Sequence, residues 1–139
     1  MAGYSGTPLI KKLGIKHNFN VAFVNAPENF VTQLELPASV NVKKISQGKE
    51  LDFIQVFVKV RSALTTALAQ YPPKMKSNAM LWVSWPKKSS GVQTDLNENI
   101  VRDIGLAAGL VDVKVCAVDE IWSGLKFVYR LKDRPKSAR

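Results

Sequence analysis

The sequence predicts a single α/β domain: a three-layer, doubly wound, mostly parallel sheet of about six strands, closed by a C-terminal antiparallel hairpin. Three observations carry this. A short continuous apolar run at 21–24 and a mostly apolar segment at 51–58, which includes Asp52 and Gln55, suit strands buried on both faces, as parallel strands are. Segments with helical spacing alternate with the strands, as crossover connections require. Near the end, only 119–124 separates two apolar strands, which is short enough for an antiparallel return.

Each element has a local reason. Residues 7–14 read as a short helix, with Thr7 as its cap, Pro8 at its first position and Gly14 as its left-handed stop. Residues 1–6 before it read as a flexible arm. The strand at 21–24 ends in Asn25-Ala26-Pro27-Glu28, and a helix over 28–34 stops ahead of Pro37. A strand at 40–45 and a turn at Gly48 lead to the strand at 51–58, so one crossover is cut to a turn. Ser62 is then expected to cap a helix with Ala63, Leu64, Ala67, Leu68 and Tyr71 on one face, ended by Pro72-Pro73.

The fourth strand is 79–85, followed by a polar loop at 86–94. The clearest helix comes next. Asp95 and Glu98 have capping-box spacing, Leu96, Ile100, Ile104 and Ala107 share a face, and Gly109 closes it. Glu98 and Arg102 lie one turn apart and can pair. Strands at 111–118 and 125–131 complete the sheet. The second alternates apolar and polar residues, which suits a place nearer an edge. Residues 133–139 read as a mobile basic tail.

Composition bounds the function. The 139 residues suit one domain, and 46% hydrophobic with 22% charged residues excludes a disordered chain. No apolar run approaches the ~18 residues of a membrane span. The first fifteen residues lack the apolar stretch of a leader peptide. One cysteine, Cys116, excludes an intrachain disulfide. Together these predict a cytoplasmic protein without membrane association. The net charge of +9 favours an anionic small molecule, an acidic partner or nucleic acid.

Ligands of open parallel sheets sit beyond the carboxyl ends of the strands, where the winding reverses. Candidate ligand-binding residues are therefore Asn25 and Glu28 after the first strand, and Lys59 and Arg61 after the third. Trp85, Lys87, Lys88, Ser89, Ser90 and Gly91 follow the fourth strand, and Asp119 and Trp122 lie in the hairpin turn. The loop from Pro86 offers charge, hydroxyls and backbone donors ahead of a helix, which are the parts of an anion site. Trp85 and Trp122 are candidates for an aromatic wall. No catalytic residue and no metal ligand set emerge. His17 is the single histidine, Cys116 reads as a small core residue, and Asp119 and Glu120 are neighbours in a turn.

The strand–helix–strand at 51–85 and the closing hairpin resemble the class I methyltransferase fold, an abbreviated Rossmann-like form. That resemblance implies S-adenosylmethionine, and two departures oppose it. The turn after the first strand has no glycine, and the second strand ends in Lys43-Lys44 where that fold carries an acid. Tyr4-Ser5-Gly6-Thr7-Pro8, Lys12-Leu13-Gly14-Ile15, residues 81–87, Gly109-Leu110-Val111 and Trp122-Ser123-Gly124-Leu125 resemble the bacterial domain-of-unknown-function family 3052. This likeness implies a bacterial protein and assigns no activity. The expectation is thus a non-catalytic domain that binds an anionic ligand or partner at the strand ends. The alternatives are a nucleic-acid-binding protein and a degenerate methyltransferase-like enzyme. The cofactor and the oligomeric state stay open.

Overall fold

The computed structural model describes residues 8–130. The expected arm, the Thr7 cap and the basic tail lie outside the described residues. Six strands form one sheet: β1 (Asn20–Val24), β2 (Asn41–Val42), β3 (Leu51–Phe57), β4 (Met75–Pro86), β5 (Leu110–Ala117) and β6 (Trp122–Tyr129). Their order is β2-β1-β3-β4-β6-β5. The first four strands are parallel, and β6 is antiparallel to both β4 and β5. This is the α/β sheet with a C-terminal antiparallel hairpin that the apolar runs predict.

Among the described residues, four α-helices cover the sheet: α1 (Leu9–Leu13), α2 (Phe30–Leu34), α3 (Arg61–Gln70) and α4 (Glu98–Ala107). Leu64, Ala67 and Leu68 of α3 and Val101 of α4 pack on one face with Ile54, Val56 and Leu81. Leu13 of α1 and Phe30 and Leu34 of α2 pack on the other with Phe53, Phe57 and Trp82. The crossover from β1 to β2 therefore runs over one face, and that from β3 to β4 over the opposite face. Winding reverses between the neighbouring strands β1 and β3, and this fixes the switch point.

Several local expectations change. β2 is two residues long, and a 3-10 turn at Ile45–Gln47 follows it. β4 begins at Met75, earlier than its apolar run. Pro8 precedes the first helical residue of α1, while Gly14 takes the left-handed stop at φ 87°. At this end of the sheet the edge strand is β5, and β6 lies one place in, near the edge as alternation suggests but paired on both sides. Alternation in β6 reflects Lys126, which shares a cross-strand pair with Lys114.

The capping of α3 and α4 differs most. Ser62 lies inside α3, and the carboxylate of Asp95 accepts from the Arg61 N–H at 2.8 Å. Asp95 thus caps α3 from a distant part of the chain. Asn97 caps α4 instead, its side chain accepting from Ile100 N–H at 2.9 Å. Thr94 reinforces the link by donating to the Lys59 carbonyl at 2.6 Å. Glu98 does pair with Arg102, at 2.7 Å, and Asp112 holds the same guanidinium at 2.9 Å. That pair of carboxylates raises the Arg102 pKa above its ordinary value, Glu98 first.

Candidate functional site

The carboxyl ends of β1, β3 and β4 share one rim, because Val24 lies level with Val56 and Phe57 with Ser84. The hairpin turn joins this rim, with Pro86 paired to Trp122. At the switch point, the rim opens into a pocket of about 300 Å³. Val24 and Asn25 of the β1 end and Val56 and Val58 of the β3 end form one side. The first turns of α3 form the other, through Ser62, Ala63, Thr66 and Ala67, with Tyr71 deeper along the helix.

Each wall has a sequence cause. Asn25 adopts the left-handed region at φ 59°, which asparagine tolerates better than most residues, and so turns the chain away from the strand end. Ala63 and Ala67 are one helical turn apart and small, so their side chains leave space unfilled between α3 and the strand ends. Leu64 and Leu68 carry the packing contact of the same helix, both buried. The lining is apolar at Val24, Val56, Val58 and the two alanines. Its polar groups are the Asn25 amide and the hydroxyls of Ser62, Thr66 and Tyr71. None of these nine residues carries a charge at neutral pH.

Of the residues expected from the sequence, Asn25 lines this pocket. Glu28, Lys59, Arg61, Lys88, Ser89 and Gly91 lie exposed along the same rim. The Lys59 carbonyl accepts from Thr94, and the Arg61 N–H is taken by Asp95. Around β4 the loop closes on itself. Lys87 N–H donates to the Ile121 carbonyl at 2.7 Å, and Ser90 donates its hydroxyl to the Lys87 carbonyl at 2.6 Å. The same Ser90 oxygen accepts from Val92 N–H at 3.1 Å. Asp119 takes the N–H groups of Ile121 and Trp122 at 2.8 and 2.7 Å. These donors and acceptors hold the loops rather than facing a common hollow.

Trp85 and Trp122 do not form one wall. Trp85 is buried in the α3–α4 core, and Trp122 in the α1–α2 core, where it meets Phe57 edge to face at 5.1 Å. Their indoles lie on opposite sides of the sheet. His17 is exposed and within 2.9 Å of the Ser39 hydroxyl. Cys116 is half-buried, and burial raises its thiol pKa against the opposing pull of Lys114 and Lys12. Among the described residues, no cluster of three or more His, Cys, Asp or Glu could hold a metal. No helix among them is long and apolar enough to cross a membrane.

The residues that sequence reasoning missed are Ser62, Thr66 and the small α3 face. Ser62-Ala63 and Thr66-Ala67 repeat a small pair one turn apart, at the start of the helix that follows the switch strand. That repeat was the available signal. It reads equally as a helix face packed on the sheet.

The architecture is that of the Rossmann-like methyltransferase fold: six strands with the closing antiparallel pair at β4-β6-β5. Solved structures place the fold more closely. A SAM-dependent methyltransferase from Aquifex aeolicus is similar, with TM-score 0.58 and 17% identity over 86% of each chain. A TehB-like SAM-dependent methyltransferase from Corynebacterium glutamicum gives TM-score 0.58 at 9% identity, over 93% of this chain and 91% of its own. The ribosomal protein L11 methylase of Lactobacillus delbrueckii subsp. bulgaricus gives 0.55 at 12%, over 88% and 75%. No family model matches the chain, so the likeness to family 3052 gains no support there. No curated protein matches it either.

These neighbours overturn the expectation of a non-catalytic anion-binding domain. They accord better with the degenerate methyltransferase-like alternative. The geometry agrees with the correction: the pocket at the switch point has no lysine or arginine in its lining.

Proposed function

We propose that this chain is a degenerate methyltransferase-like protein whose switch-point pocket receives the nucleoside part of an S-adenosylmethionine-type ligand. The observation that carries the reading is the position of the pocket, between the ends of β1 and β3 where the winding reverses. Its volume of about 300 Å³ suits a nucleoside and is small for a larger ligand.

The lining fits such a ligand in part. Val24, Val56, Val58 and Ala63 offer apolar contact to a base or sugar, and Asn25, Ser62, Thr66 and Tyr71 offer hydrogen bonds. No carboxylate lines the pocket to meet the ligand's ammonium group. When bound, S-adenosylmethionine supplies an electrophilic methyl group. No residue of the lining is a histidine, cysteine or carboxylate that could act as a base toward an acceptor, and this is the sense in which the site is degenerate. A bacterial, cytoplasmic setting and membership of family 3052 belong to the same reading. The single cysteine and the Trp122-Ser123-Gly124 segment at the start of β6 support them.

Calorimetry on the full chain with S-adenosylmethionine, S-adenosylhomocysteine and 5′-methylthioadenosine tests this. At least one of the three is expected to give saturable heat that Thr66→Trp removes, because the larger ring fills the hollow from an exposed position. Absence of heat with all three would overturn the proposal, as would heat unchanged in the variant.

A further inference from the structure

The face of the hairpin opposite the pocket carries an unusual charge arrangement. Lys114 of β5 and Lys126 of β6 are directly opposed in the ladder. Opposed residues hold their Cβ atoms about 5 Å apart, and like charges there are unfavourable. Both side chains point to the α1 side, since Lys126 lies level with Trp82, which is buried in the α1–α2 core. Lys16, in the exposed turn after α1, is near enough to act electrostatically on Lys126.

The pairing also acts on the charge of Lys126. Lys126 has its pKa lowered from 10.5, first by burial and then by Lys114 and Lys16. No ion pair involves Lys16, Lys114 or Lys126 among the described residues. Among the described residues, a further cation lies beside the cluster. Lys12 of α1 acts with Lys114 on the neighbouring Cys116 thiol. Asp112, the acid nearest along β5, lies across the bulge, pairs in register with Phe127 of the other core and is held by Arg102.

A simpler role explains only half of this. A lysine and a bulge on an edge strand deter strand pairing with another chain, and Lys114 with the irregularity at Asp112/Lys114 fits that role on β5. Lys126 lies on an internal strand and is half-buried, where edge protection has no use for it. An external anion would relieve the repulsion. A protein partner usually also needs an apolar centre. Of the exposed valines flanking Lys114, Val115 pairs with Leu125 of the opposite core and so faces away, and Val113, in the bulge, is a single apolar side chain rather than an apolar centre.

We propose that Lys16, Lys114 and Lys126 form a docking face for a nucleic-acid phosphodiester backbone, separate from the switch-point pocket and independent of what that pocket binds. Contacts of this kind read charge and spacing, so the face carries affinity without base specificity.

Fluorescence anisotropy on the full chain tests it, with a mixed-sequence 20-nucleotide single-stranded RNA and a 20-base-pair DNA duplex from low to physiological salt. Both Lys114→Glu/Lys126→Glu and the milder Lys114→Gln/Lys126→Gln are measured, with Lys16→Gln added to the second. A control, Lys59→Gln/Lys87→Gln/Lys88→Gln, removes three charges from the rim, matching the glutamine triple variant. The expected result is binding that weakens tenfold or more in the cluster variants, with a shallower salt dependence by about 0.7–0.9 per lost phosphate contact. The control should change little, and the melting temperature of the glutamine variants should hold. The RNA and duplex arms tell which backbone is preferred. The proposal is overturned if neither probe binds at low salt, if the control loses as much as the cluster, or if polyglutamate binds as tightly as both nucleic acids.

Discussion

Two parts of one rim behave differently. The part between β1, β3 and α3 is hollow, and the part between β4 and the hairpin is closed. Both lie at strand carboxyl ends, and both collect polar residues. At the closed part, Ser90, Lys87, Asp119 and the Ile121 carbonyl bond to one another, and both indoles point into cores. At the open part, small residues of α3 face an asparagine turn, and no side chain fills the gap. Polar residues at a rim therefore do not identify a site. What matters is whether their hydrogen-bonding capacity is directed at neighbours or outward.

Substitutions can break or sharpen this contrast. The largest effect is expected from Trp122→Ala. If the closed part is a packed core, the loss should be about 3–5 kcal/mol, as for other large-to-alanine changes in cores. Chemical denaturation reads it. A stability loss under 1 kcal/mol would instead mean that the indole is available to a ligand. Asp95→Ala comes next. Removing the carboxylate that caps α3 should cost about 0.5–2 kcal/mol and leave the far strands intact. A thermal melt and amide exchange at Arg61 check it. An exchange rate at Arg61 unchanged from wild type would mean that the cap is idle. Smallest is Lys87→Ala/Lys88→Ala, which should move stability by less than about 0.5 kcal/mol. In calorimetry it should leave any heat at the switch-point pocket unchanged.

Much of the sheet was legible because its signals are local. An apolar run such as Val21 to Val24 declares a strand buried on both faces, whatever lies beside it. Gly14 declares a helix stop through its own backbone freedom. The misread features share a different property. Asp95 has the spacing of a cap for α4, yet its carboxylate meets Arg61 instead, and only the folded arrangement brings the two together. Lys126 gives β6 the alternation of an edge strand. It is internal because β6 inserts between β4 and β5, a choice that alternation does not encode. The candidate site was legible as a rim and not as a cavity. Strand ends follow from the order of elements. Volume depends on which side chains of α3 meet the strand ends in the folded chain.

The reach of Asp95 has a consequence for folding order. The start of α3 lacks a cap of its own in the adjacent sequence, so its first turn depends on a residue beyond β4. On a ribosome, that turn would remain frayed until the polypeptide past Asp95 had emerged and the β3–β4 pairing had formed. The mouth of the pocket would then be among the last parts to become rigid, and the first to loosen when the protein opens locally.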